Sequence, residues 1–115
     1  MTSLTRVLSD RTGTLLRVRM SWTHASRRHG IARHAARFVV EDCGLVYVQP
    51  APPGSAVPDP RLVFLGDDEA GRAIEVIGVE MVADPNGEDH LRVIHARALR
   101  VKYRGQYEEA KRWRV

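Results

Sequence analysis

The residues best suited to chemistry lie near the C-terminus, in the run Arg92-Val93-Ile94-His95-Ala96-Arg97, followed by Arg100, Lys102, Arg104 and then Tyr107-Glu108-Glu109. A strand sets alternate side chains on one face, so His95 and Arg97 are expected to point the same way, toward whatever lies over the end of that strand. A guanidinium and an imidazole converging there make an anion site: the first holds oxyanions through paired N–H donors, and the second exchanges a proton near neutral pH. Other templates are weak. His24, His29 and His34 are five residues apart, which turns successive side chains by about 140° on a helix and scatters them, so no metal site is expected. Cys43, at the end of an apolar helical face, reads as a buried inert thiol. Asp67, Asp68 and Glu69 read as an acidic hairpin rather than a cation site. No Gly-rich phosphate loop is present, and no cofactor is expected.

The elements that must position these groups follow from periodicity and punctuation. Residues 1–19 are polar and weakly patterned, and they read as an N-terminal extension to a single domain over 20–115. Met20-Ser21-Trp22-Thr23 suits a short edge strand, and a helical turn is expected before Gly30, a residue fitted to a left-handed cap. Over 31–43 a step of about 100° per residue gathers Ile31, Ala35, Phe38 and Val39 on one face, which predicts a helix closed by Gly44. Strands are predicted over 45–48, 61–65, 73–83 and 91–97. They are separated by a proline-rich loop, by Gly66-Asp67-Asp68 with Gly71, and by Asp84-Pro85-Asn86-Gly87. A final helix over 98–113 carries the apolar stripe Leu99, Tyr103, Tyr107, Ala110 and Trp113, with Arg97, Arg100, Arg104 and Lys111 beside it. The expected fold class is α+β: a small antiparallel sheet of about four strands, flanked by an N-terminal helical segment and a C-terminal helix.

Length and charge bound the function. A chain of 115 residues suits one domain with its own core. The lone Cys43 excludes an internal disulfide. No apolar run approaches the roughly 18 residues of a membrane helix, and no secretory leader is recognisable, so a cytoplasmic protein without membrane contact is expected. The formal charge of +4 is unevenly spread: residues 1–40 carry +7, residues 41–89 carry −9 and residues 90–115 carry +6. Both ends are therefore expected to build a surface for a polyanion, and the acidic middle to face a basic partner.

The order helix, four strands, helix, with its local motifs, resembles the BrnT-like toxins of type II toxin–antitoxin systems, relatives of the RelE-type ribonucleases. Arg28-His29-Gly30-Ile31 is similar to that family's basic-His-Gly-aliphatic turn, and Arg61-Leu62-Val63-Phe64-Leu65-Gly66 resembles its strand ending in glycine. Arg92 to Arg97 resembles its last strand, with His95 where the family usually has Ser, and the register runs on to Arg104 and Tyr107-Glu108. Together these cover most of residues 20–110, and Met20 sits where family members begin.

The resemblance implies a RelE-like fold and a toxin that inhibits translation by metal-independent RNA cleavage, with the ribose 2′-hydroxyl attacking the adjacent phosphate. It gives His95, Arg97 and Arg104 as the expected catalytic residues, and His29, Arg61, Arg100, Lys102 and Tyr107 as substrate-binding ones. The implied partners are RNA, in association with the ribosome, and a cognate antitoxin carrying a ribbon-helix-helix DNA-binding domain. Each residue also has a plainer reading: His95 as a hydrogen-bonding group within a sheet, His29 as the fixer of its turn, Tyr107 as core. The rival function is a non-catalytic nucleic-acid- or protein-binding module on the same scaffold.

Overall fold

A computed structural model describes residues 19–42, 45–81 and 89–112. Apolar and β-branched runs separated by turn residues build β2 (Leu45–Gln49), β3 (Arg61–Asp67), β4 (Ala73–Met81) and β5 (His90–Ala98), an antiparallel meander. The expectation of about four antiparallel strands needs one correction. The short β1 (Met20–Trp22) pairs parallel to β5 and completes a five-stranded mixed sheet in the order β1-β5-β4-β3-β2. The parallel pairing follows from the path as a whole. The three antiparallel steps of the meander leave β5 running opposite to β2. The chain leaves β1 through a helix that crosses one face of the sheet and enters β2 in the direction opposite to β1, so that β5 returns alongside β1 and parallel to it. Arg19 belongs with the sheet rather than with a tail, since its carbonyl accepts the Leu91 amide at 2.8 Å.

That crossing helix, α1 (Arg33–Asp42), buries Ala35, Ala36, Val39 and Val40, with Ile31 buried just ahead of it; Phe38, expected on the buried face, is only half-buried. These side chains pack on Phe64, Ile74, Val76, Leu91, Val93 and Ala96. The charges of α1 run against its dipole, with Arg33 in the first turn and Glu41 and Asp42 in the last. Each misplaced charge costs about 0.3–1 kcal/mol, whereas each buried valine contributes about 1.5–3 kcal/mol. Packing on the sheet therefore decides the helix.

The other face of the sheet presents Val63, Leu65 and Ile77 to Tyr103 and Tyr107. The single helix expected over 98–113 is not formed as such. Ala98 still pairs with Ile74 as the last residue of β5, and Leu99 donates its amide to the Ala73 carbonyl at 3.1 Å. A 3-10 turn (Val101–Tyr103) follows, and α2 runs only from Arg104 to Arg112. Sheet hydrogen bonds thus win over helical propensity up to residue 99, and Arg97 and Arg100 do not share a helix face with Arg104 and Lys111. Tyr107 is anchored at the far end, donating to Asp67 Oδ1 and accepting from Lys111 Nζ.

Two local devices shape the sheet. At the β3–β4 hairpin the buried Asp68 accepts from the amides of Ala70 and Arg72 at 3.0 and 2.9 Å, so this acidic cluster is a self-capped turn. Between β4 and β5 the register slips: Ile77 faces His95 while Gly78 faces Val93, leaving Ile94 as an extra residue. This bulge keeps Leu91, Val93 and Ala96 in the core beneath α1 while Ile94 packs toward the α2 side. Cys43, Gly44, the expected hairpin over 84–87, Trp113 and residues 1–18 lie outside the described residues. Among the described residues, no helix is long and apolar enough to cross a membrane.

Candidate active site around Glu75

Glu75 lies near the start of β4, opposite Arg97, with a fully buried side chain. An isolated buried carboxylate is too costly to keep, so its partners define the site. His95 Nε2 lies 2.9 Å from Glu75 Oε2; the Arg100 backbone amide donates to Oε1 at 2.9 Å, and Arg100 Nε donates to Oε2 at 2.7 Å. Burial alone would raise the Glu75 pKa. The hydrogen bonds from His95 and Arg100, with the Arg100 charge, overcome it and bring the carboxyl down to about 2. The same contact holds the Arg100 guanidinium above its ordinary pKa.

An ionised Glu75 has no proton to give, so the proton in the 2.9 Å contact belongs to His95 Nε2. Arg100 Nη2, 3.4 Å from the same nitrogen, is then a close neighbour and not a second donor to it. In the neutral ring Nδ1 is left with its lone pair. Glu75 thus fixes the tautomer as a carboxylate does in a catalytic triad.

His29 completes the cluster. Thr23 donates its amide to the Val93 carbonyl at 3.0 Å, and it caps the 3-10 turn (His24–Arg27) by accepting from the Ser26 amide. Gly30, at φ 74°, ends the turn in the conformation expected of it. The turn is thereby tied to β5, and the His29 ring meets His95 edge-on with centroids 5.7 Å apart. Partial desolvation, then the charges of Arg97, His95, Arg28 and Arg100, hold the exposed His29 below its ordinary pKa of 6.5. Arg97 has no carboxylate partner among the described residues, and its buried Nε has no hydrogen-bond acceptor. Farther along the same turn, a shallow cavity of about 610 Å³ is lined by Arg27, Gly30, Ile31, Ala32, Arg33 and His34.

His29, His95, Arg97 and Arg100, all expected as site residues, are therefore brought together. The others are held elsewhere. Arg104 is exposed at the start of α2 and pairs with Glu108 at 3.3 Å. Lys102 lies over the Tyr103 ring. Tyr107 is engaged with Asp67 and Lys111. The buried Arg61 donates to the carbonyls of Val57 and Asp59 and to Ser55 Oγ, clamping the proline-rich loop. Glu75 escaped the sequence reading. Its signal is an acidic residue inside an apolar strand, set between Ile74 and Val76, a position where a buried charge must be paired. In comparisons of the sequence, no family model and no curated protein matches the chain.

Proposed function

We propose that this chain is a metal-independent ribonuclease and the toxin of a type II toxin–antitoxin pair. The observation that carries the proposal is the fully buried Glu75 carboxylate on His95 Nε2, which leaves Nδ1 as a base beside a second imidazole and an arginine that has no carboxylate partner among the described residues. In this reading His95 Nδ1 takes the proton of a ribose 2′-hydroxyl. The 2′-oxygen bonds to phosphorus, the bond from phosphorus to the 5′-oxygen breaks, and His29 protonates the departing 5′-oxygen. A 2′,3′-cyclic phosphate remains. Arg97 pairs with the non-bridging oxygens as their charge grows, and Arg100, locked by Glu75, frames the pocket. RNA, ribosome association and a neutralising antitoxin with a ribbon-helix-helix domain are the proposed partners, supported by the motif resemblance and by the acidic middle of the chain.

The test is RNA cleavage by the purified protein in excess chelator, with and without ribosomes. Wild type is expected to yield 2′,3′-cyclic phosphate ends, Arg97→Ala to lose about 10²- to 10³-fold in kcat, and His95→Ala to fall at least as far. Because His29 must hold a proton to act as the acid and its pKa lies below 6.5, kcat/KM should fall as pH rises through a value below 6.5. The limb in kcat should sit higher, since bound phosphate favours the protonated ring. Equal RNA decay in wild type and His95→Ala, or none in wild type in either condition, rejects the catalytic reading and favours the binding module.

A further inference from the structure

We infer that the part of the sheet face left open beside α2 is a binding site for a small apolar monocarboxylate, held by Arg61 and Arg92. Tyr103 and Tyr107 cover Val63, Leu65 and Ile77 on this face. Beyond them the face continues as Val79, Met81 and Ile94, the floor of a cavity of about 650 Å³, a volume suited to a small organic ligand. Val57 of the proline-rich loop forms a wall.

Register sets the two arginines across that floor. Arg92 pairs with Val79, and Leu62 pairs with Gly78, so Arg61 lies one step on, beside Val79. Arg61, Val79 and Arg92 thus form a row across β3, β4 and β5. Two strand spacings separate the arginines, about 10 Å at the backbone, and both line the cavity.

The ligand class follows from Arg61. It is only 8 % exposed, yet neither it nor Arg92 has a carboxylate partner among the described residues. A buried charge without a counter-ion is costly. The proline-rich loop satisfies part of the guanidinium: the Val57 and Asp59 carbonyls accept from Nη1, and Ser55 Oγ accepts from Nη2. Nε and the second hydrogen of Nη2 keep no partner among the described residues. They are the parallel donors that a carboxylate meets with both of its oxygens. Arg92, which is exposed, adds positive charge to the same row. Asp59 and Glu80 border the cavity as well, and they oppose a group that carries more than one negative charge. A single carboxylate on an apolar body therefore matches both the donor pair and the floor. The site uses no member of the Glu75 cluster, so it stands or falls independently of the catalytic proposal.

The probe is 3-phenylpropionate, titrated into the full chain by calorimetry and followed by amide resonances. Saturable one-to-one binding is expected, with the largest shifts at Val57, Val79 and residues 92–94. The uncharged 3-phenylpropionamide and the dianionic phenyl phosphate should each bind at least tenfold more weakly. Arg61→Lys keeps the charge and removes the parallel donors, and should weaken the acid at least tenfold. Because Arg61 also holds the loop, Arg92→Gln at an exposed position supplies the second reading: an unchanged melting transition with affinity reduced about threefold or more. Arg27→Ala, at the other cavity, should bind as wild type does. No saturable binding, an amide or phosphate that binds as tightly as the acid, shifts confined to other residues, or an affinity indifferent to Arg92→Gln would each overturn the proposal.

Discussion

Glu75 ties the stability of the molecule to pH. Its carboxyl titrates at about 2 in the folded chain against an ordinary 4.5, so its contribution is complete above 4.5 and is lost as pH falls toward 2. For a fully buried group this linkage is on the order of 3 kcal/mol. Glu75→Gln keeps the shape and removes the charge that Arg100 and His95 share. We expect it to cost about 3 kcal/mol at pH 7, with the gap from wild type closing as the solution is acidified toward pH 2. Urea unfolding at several pH values measures both, and a constant gap would show that the carboxylate is not the source. His95 and Arg97 were legible in the sequence because alternation alone sets them on one side. Their anchor was not, because nothing local marks which residue of β4 pairs with which of β5.

At the scale of elements, the bulge is what allows the apolar residues of β5 and its polar ones to serve different faces. Its register depends on Gly78. A Cβ built there would lie 2.6 Å from Leu91 Cδ1 and 3.0 Å from the Arg92 carbonyl oxygen. Leu91 is fully buried and the carbonyl is backbone, so neither has free room to retreat. Gly78→Ala should therefore destabilise the fold by about 1–3 kcal/mol, the usual cost of overpacking, and broaden the amide resonances of β5 near Val93. An unchanged denaturation midpoint would show that β5 can slide. The strands β2 to β5 and helix α1 were legible from period and breakers to within a few residues. The boundary between β5 and the last helix was not. Leu99, Tyr103 and Tyr107 keep a spacing of four that suits a helix, yet the ladder to β4 claims residues 98 and 99; tertiary pairing decided what local periodicity left open.

At the scale of the whole molecule, the charge pattern of the sequence is redistributed by ion pairing. Four basic side chains of the C-terminal stretch are paired: Arg104 with Glu108, Arg112 with Glu109, Lys111 with Asp67, and Arg100 with Glu75. Arg27, Arg28, Arg33 and Arg97 have no carboxylate partner among the described residues. Arg28 and Arg97 act on His29, and Arg33 stacks over Trp22. The cations beside the Glu75 cluster that lack a carboxylate partner among the described residues are therefore on the turn before α1 and at the end of β5, not on the face of α2. A polyanion bound there releases counterions in proportion to the phosphates it loses to these side chains, so log K falls with log salt at a slope of about 0.7 per contact for a single strand. Arg27→Ala and Arg33→Ala should each weaken the binding of a single-stranded RNA at every sequence and reduce the salt slope by about 0.7. Arg112→Ala, which removes only an exposed ion pair, should leave the slope unchanged. Fluorescence anisotropy titrations from low to moderate salt give the slopes directly. If Arg112→Ala lowered the slope as much as Arg27→Ala, the nucleic acid would be lying along α2, and the charges that the fold leaves unpaired would not be the ones that bind.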